Sequence, residues 1–470
     1  MKRIVLFPRV LLLLLTLGTV NAAERLPHIV LLIGDDHGFP YFGFMGDEHV
    51  VTPAMDTLAE GGLLFTEAHV TTPYCRPSLR SMITGLHPVT YVQRKNQIVK
   101  ERREMDPDWG SLNKTEKQMW KAVETANAMK SFDTLPKLLR EKGYVSWQGG
   151  KWWENGYDSG HFDEGMTDGW DMKKFGTDDF FHEMMGSDGT ELGRTTMAPL
   201  FDFIDRQQDK PMFIWYGPML PHTPYDAPDK FKKFYEHKDI SESAKQYYSN
   251  ITWWDDGVSQ LMDYMGERDL LENTLFIYLS DNGWEQDADV EYWYEGVTVY
   301  NDSKYSTGGF QGKGGNYDSS YRTPLIFYWK DKIHGTVNQS SLVSSLDLVP
   351  TILDIVGLEN PEELPGRSLK PLLRGDSYDE RTELIGYTDN QRSETSVMGE
   401  IAEKYYVRTH RWHFMYSATS GEKELYDVTV DYQAKRNLVE DYDHLVPGFM
   451  EKVEAWRAEM GMDGRVAIAE

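Results

Sequence analysis

The chain has 470 residues, 40% of them hydrophobic and 13% aromatic, enough to bury a large core and build more than one domain. Its formal net charge of −26 and pI near 4.9 argue against a nucleic-acid binder or a protein that adheres to anionic membranes. The same field repels any polyanion at long range, so a site for one requires a local basic island, and a solvating coat suited to a saline habitat accounts for the acidity.

Lys2 and Arg3 precede an apolar run over residues 10–17, and Val20-Asn21-Ala22 offers a small-residue cleavage site before Ala23. Residues 1–22 therefore read as a signal peptide, which predicts a secreted or periplasmic mature protein. The run is too short for a membrane span, and no cysteine lies near the cleavage site to carry a lipid. Residues 28–33 form an apolar run that ends in Gly34-Asp35-Asp36, the pattern of a buried strand meeting a loop. A helix is predicted over 54–61, with Met55 and Leu58 on its apolar side.

Cys75 is the only cysteine, and it opens Cys75-Arg76-Pro77-Ser78-Leu79-Arg80-Ser81-Met82-Ile83-Thr84-Gly85. It has no partner for an intramolecular disulfide, so its presence needs another explanation. Pro77 suits the first position of a helix and Ser78 its first turn, which puts Cys75 just before the N-terminus. There, free N–H groups and the helix dipole favour an anion and activate a nucleophile.

A charged segment follows over 89–130, then a predicted helix over 134–142. Strands are predicted at 212–216, ending near Pro221-His222, at 274–279, ending at Ser280-Asp281-Asn282, and at 325–329. Past Gly366, segments 404–409 and 412–416 predict antiparallel strands, and a helix over 447–460 closes the chain. Strands alternating with amphipathic helices predict an α/β fold: a large, mainly parallel sheet flanked by helices over 23–365. A smaller C-terminal α+β subdomain with an antiparallel sheet spans 366–470. In such sheets ligands gather beyond the carboxyl ends of the strands, where Asp35, Asp36, His222, Asp281 and Asn282 all fall.

The carboxylate and amide oxygens of Asp35, Asp36, Asp281 and Asn282 suit a hard divalent cation, Ca²⁺ more readily than Mg²⁺, and not zinc. Singly, Asp-Asp and Asp-Asn-Gly are common turn sequences, but here both directly follow apolar runs. His37 and His49 read as structural or surface residues. His182-Glu183 opens a zinc-protease pattern that Gly186 breaks, and Gly312-Lys313-Gly314 lacks the spacing of a phosphate loop.

The run from Cys75 resembles that of the type I, formylglycine-dependent sulfatases of the alkaline-phosphatase-like superfamily. In that family a Cys-x-Pro-Ser-Arg run followed by Thr-Gly is where the cysteine is oxidised to formylglycine. Cys75, Pro77, Ser78, Thr84 and Gly85 fall in register, Leu79 stands at the arginine position, and Arg80 comes one place late. The likeness continues through Gly150-Lys151-Trp152-Trp153, Pro221-His222-Thr223-Pro224, Lys313-Gly314-Gly315-Asn316-Tyr317 and Arg322-Thr323-Pro324. It reaches Glu424-Leu425-Tyr426-Asp427 and Asn437-Leu438, nearly the whole mature chain.

The resemblance implies Asp35, Asp36, Asp281, Asn282 and the modified Cys75 as metal ligands, and Cys75, Lys151, His222 and Lys313 as catalytic residues. One hydroxyl of the hydrated formylglycine, polarised by Ca²⁺, would attack sulfur in line. His222 or Lys313 would assist departure of the alcohol, and the second hydroxyl would expel sulfate. The family histidine beside the lysine is replaced by Trp153. Arg76 or Arg80 could stand in for the arginine, and His161 for the histidine. The implied activity is hydrolysis of a sulfated carbohydrate or aryl sulfate, with a formylglycine-generating maturation enzyme as partner and no nucleic acid or stable membrane insertion. Alternatives are a phosphodiester or phosphonate hydrolase of the same fold and a non-catalytic sulfated-glycan-binding relative. Residues 94–103 and the aromatics Tyr292, Trp293, Tyr294, Tyr300 and Tyr305 are expected to lie on loops that shape the substrate site.

Overall fold

A strand covered on both faces must be apolar at nearly every position, and β1 (His28–Gly34) is buried throughout. Its alternate side chains feed two cores. Ile29, Leu31 and Ile33 pack with Leu79, Met82 and Ile352, whereas Val30 and Leu32 pack with Leu200, Trp254 and Val258. These contacts come from a computed structural model that describes residues 25–284, 312–389 and 403–462.

Around β1 lie β2 (Leu63–His69), β3 (Val145–Gly150), β4 (Glu164–Gly165), β5 (Met212–Gly217), β6 (Thr274–Ser280), β7 (Arg322–Trp329), β8 (Thr336–Asn338) and β9 (Val343–Ser344). The sheet runs β4-β3-β5-β1-β6-β7-β2-β8, with β9 also on β2. Among the described residues, β7 is antiparallel to β6 and β2, and every other pair is parallel. The large, mainly parallel sheet of the sequence reading is therefore present. The strand expected over 325–329 is in place but reversed, a direction that an apolar run does not encode.

A second, antiparallel sheet has the order β10 (Glu383–Asp389), β11 (Glu403–Thr409), β12 (Trp412–Ser417) and β13 (Lys423–Asp427). The helix Val446–Glu459 closes over it, with Phe449, Val453 and Trp456 against Val407, Phe414 and Leu425. The charged segment over 89–130 folds as two helices, Pro88–Met105 and Lys114–Asn127. A capping box opens the second: Asn113 Oδ1 accepts from Glu116 N at 3.0 Å, and Asn113 N donates to Glu116 Oε2 at 2.7 Å. Residues 94–103 thus sit on a helix rather than a loop, where Arg102 pairs with Glu124 at 2.8 Å. The proposed signal peptide and the aromatic run from Tyr292 to Tyr305 lie outside the described residues. No helix among the described residues is long and apolar enough to cross a membrane.

Buried charges bolt the two sheets together. Asp318, 1% exposed, meets His69 Nε2 at 2.8 Å and accepts from Arg408 Nε of β11 at 2.6 Å. Arg408 and Arg322 also converge on Glu67 of β2. Burial alone would raise the Asp318 carboxyl, but Arg408 and His69 hold it well below the usual range. Replacing Asp318 with Ala takes one of two carboxylates from the buried Arg408 guanidinium and leaves buried His69 Nε2 without its partner. We expect a loss of about 3–5 kcal/mol in denaturant unfolding, and an unchanged midpoint would show that the network carries no stability.

Candidate active site

Six chain segments reach one edge of the large sheet because the parallel strands all end there. Asp35 and Asp36 follow β1, Lys151 follows β3, and Asp281 and Asn282 follow β6. His222 lies five residues past β5, beside a bridge that pairs Asp35 with Pro221. Cys75 comes after β2, and Lys313 precedes β7, whose antiparallel direction brings its N-terminal approach to the same edge. The strands pack closely here: a Cβ on Gly150 (φ +91°) would lie 1.8 Å from the carbonyl oxygen of Gly217, so only glycine fits just before Lys151.

Cys75 is the first residue of the helix Cys75–Thr84, with Tyr74 at the cap. The start is therefore earlier than Pro77 suggests. Proline is tolerated one turn in because first-turn N–H groups have no acceptor within the helix. Both predicted lysines converge on the sulfur: Lys313 Nζ lies 2.9 Å and Lys151 Nζ 3.3 Å from Cys75 Sγ. Lys151 also donates to Asp35 Oδ1 and Oδ2 at 2.6 and 2.8 Å, and Lys313 donates to Asp36 Oδ1 at 2.6 Å.

Burial opposes the charge of each lysine, but Asp35 beside Lys151 and Asp36 beside Lys313 outweigh it and raise both above the usual range. Asp36 is pushed up by burial, yet Lys313, His222 and Lys151 hold it at about 2. Burial drives the Cys75 thiol up to about 12 despite the two lysines. At the unmodified thiol, desolvation therefore outweighs the pull of the two ammonium groups. His222 Nε2 lies 3.6 Å from Asp36 Oδ2, and Nδ1 pairs with the Thr223 carbonyl at 2.7 Å. Burial and then Lys151 lower His222 to about 4, so the ring is neutral near pH 7.

One ligand atom from each of Asp35, Asp36, Cys75 and Asp281 lies within 4.8 Å of the others. Asp281 Oδ2 and Asn282 Oδ1 are buried acceptors with no hydrogen-bond partner. Orphaned oxygens of this kind are costly unless a cation meets them, and an oxygen-rich set fits a hard divalent metal. His37 is buried and stacks on Phe42 with ring centroids 3.8 Å apart, a structural residue as expected, and His49 is partly buried outside the cluster.

The two departures from the family pattern are also explained here. Leu79 packs into the core, with Trp153 against the same cluster. Lys151 Nζ lies 5.8 Å from the Trp153 ring centroid. Arg76 and Arg80 both grip Glu154, through Nε at 2.8 and 2.7 Å and through Nη2 at 3.1 Å each. Arg80 also lies 4.9 Å over the Tyr91 ring. The His161 ring meets Thr134 Oγ1 at 2.9 Å, on the approach to the helix Leu135–Leu139, which carries no site residue. Glu154 was not singled out in the sequence, where a carboxylate after two tryptophans carries no signal of burial.

A family model described as Sulfatase matches residues 27–358. The chain belongs to the sulfatase family. A second model, N-sulphoglucosamine sulphohydrolase, C-terminal, matches residues 308–458. Arylsulfatase A of Homo sapiens is 27% identical over 462 residues, covering 87% of this chain and 78% of that protein. The structure of BT4656 in complex with its substrate D-Glucosamine-2-N, 6-O-disulfate superposes with a TM-score of 0.66 at 18% identity, covering 94% and 99% of the two chains. Phosphonate Monoester Hydrolase of Agrobacterium radiobacter gives 0.64 at 17% identity, covering 92% and 96%, so the fold itself does not distinguish sulfate from phosphonate chemistry. The family match makes this chain a sulfatase, an enzyme of sulfate-ester hydrolysis.

Burial raises the Glu154 carboxyl, but Arg76 and Arg80 outweigh it and hold it at about 2, against 4.5 in the unfolded chain. A depressed acid stabilises the native state fully above the unfolded value and loses that contribution as pH falls through the folded one. Between pH 4.5 and about 2, unfolding free energy should drop more steeply for the native sequence than for Glu154→Gln. Parallel curves would show that the clamp is not ionic.

Proposed function

We propose that this sulfatase removes sulfate from a carbohydrate, using a formylglycine made from Cys75 and a Ca²⁺ ion. The observation that carries the reading is the meeting of Lys151 and Lys313 at the Cys75 sulfur, inside a nest of carboxylates. Asp35, Asp36, Asp281 and Asn282 would hold the cation. Ca²⁺ is favoured because it accepts flexible, anionic oxygen cages, whereas Mg²⁺ keeps more of its water. When bound, the cation supplies charge that polarises oxygen at the reacting centre. A formylglycine at position 75 would supply the oxygen nucleophile.

The remaining work falls to side chains already in position. Lys151 and Lys313, held charged by Asp35 and Asp36, offset negative charge that grows on the sulfuryl and leaving oxygens. A docked sulfate would favour the protonated form of His222, which then gives its proton to the departing alcohol. Trp153 carries no exchangeable proton for this chemistry and offers a partly exposed ring beside Lys151. A ring face suits a sugar, and a neighbour of the same fold takes D-Glucosamine-2-N, 6-O-disulfate. The N-terminal pattern supports export, and the Cys75 run supports a maturation enzyme as partner.

His222→Ala should lower turnover by roughly 10²–10⁴-fold on sulfates with poor leaving groups, the range for loss of a positioned acid. The loss should shrink on nitrophenyl sulfate, whose leaving group needs little protonation. A folded, metal-binding variant that hydrolyses poor leaving groups at the native rate would remove His222 from the mechanism.

A further inference from the structure

The backbone that carries His222 has no regular structure to hold it. Between β5 and the short helix Asp229–Lys232 the only sheet contact among the described residues is the bridge from Pro221 to Asp35. Its carbonyls are instead collected by one guanidinium, with the Asn250 amide beside it. Arg194 donates from Nε to the Met219 carbonyl at 3.0 Å and from Nη2 to those of His222 at 3.0 Å and Pro224 at 3.2 Å. Nη1 donates to the Asp226 carboxylate at 2.5 Å. The side chain is 10% exposed and lies 5.2 Å from the Trp253 ring centroid. Asn250, fully buried, completes the brace: Nδ2 donates to the Pro224 carbonyl at 3.0 Å, and Oδ1 accepts from Ala227 N at 3.1 Å.

We propose that Arg194 is a positioning residue for His222, fixing the loop backbone and through it the direction of the imidazole. The inference rests on the role given to His222 above. The link is geometric. Nδ1 of the ring is tied to the carbonyl of the next residue, Thr223, at 2.7 Å, which leaves Nε2 toward Asp36 at 3.6 Å. Wherever residues 222–224 go, the ring goes. A planar fork spreads its donors in fixed directions over separated carbonyls, whereas an ammonium is a compact point with three rotating donors. The segment leading to Arg194 also touches the Lys151 loop, since Trp152 N donates to the Met185 carbonyl at 2.8 Å. Lys151 is also tied to the end of β5, since Lys151 N donates to the Gly217 carbonyl at 2.7 Å.

The test uses aryl sulfates of graded leaving-group quality with metal-loaded, matured enzyme. Arg194→Met should lower kcat about tenfold or more for the poorest leaving groups while leaving nitrophenyl sulfate and KM within about twofold. Added to His222→Ala, it should cost less than about twofold more, because it acts through that residue. Arg194→Lys keeps the charge, loses the fork and should show the same pattern; it also serves if the Met variant does not fold. In ¹⁵N-histidine spectra of metal-free protein, the His222 ring signals should move and those of buried His413 should not. Equal losses across the substrate series, or full additivity with His222→Ala, would overturn the proposal. A large His222→Ala effect with a silent Arg194→Met overturns it alone, whereas a silent His222→Ala removes the parent reading and this one with it.

Discussion

Three carboxylates and two ammonium groups are buried together at one sheet edge, and an isolated ion there would cost several kcal/mol to desolvate. Pairing is what makes the arrangement tolerable: Asp35 with Lys151 and Asp36 with Lys313. Asp281 is left over, its Oδ2 without a partner, and burial together with Asp35 pushes its carboxyl well above the usual range. The protein alone therefore disfavours the charged form of Asp281 and leaves orphaned oxygens there, which a divalent cation would resolve. Much of the surrounding architecture serves this balance. The strand ends supply the acids, and the glycine before Lys151 lets two strands approach closely enough to deliver its ammonium.

The substitutions at Leu79 and Trp153 belong together. Leu79 lies in one apolar cluster and Trp153 packs against it, while the nearby charges Arg76, Arg80 and Glu154 pair among themselves. An arginine at position 79 would have to desolvate within that cluster. Arg80, one residue on, is rotated around the helix by about 100° and reaches Glu154 instead. The loop carrying Lys151 is thus fixed to the first turns of the Cys75 helix by a buried carboxylate three residues further along the chain.

Much of this was legible in the sequence where the signal is local. The apolar runs that became β1, β5 and β6 end at the acids and the histidine the site needs, because a buried strand must be apolar and its terminus must turn polar. The two helices over 89–130 carry start signals in Pro88 and the Asn113–Glu116 box, but the density of charge in the segment masks their apolar sides. What stayed hidden is long-range pairing. Glu154, Arg194 and Asp318 look like ordinary surface residues in the chain, and each is buried only because a partner tens or hundreds of residues away arrives to meet it. The reversal of β7 was likewise unreadable, since direction in a sheet depends on the connection and not on the strand.

The account turns on the identity of residue 75. Intact-peptide mass spectrometry across Cys75, on protein purified from its native host, measures it directly. A peptide lighter by the exchange of a thiol for an aldehyde is the predicted result. An unmodified thiol in all molecules, in a preparation that nonetheless releases sulfate from a sulfated sugar, would contradict the nucleophile and require the chemistry to be rebuilt around another residue.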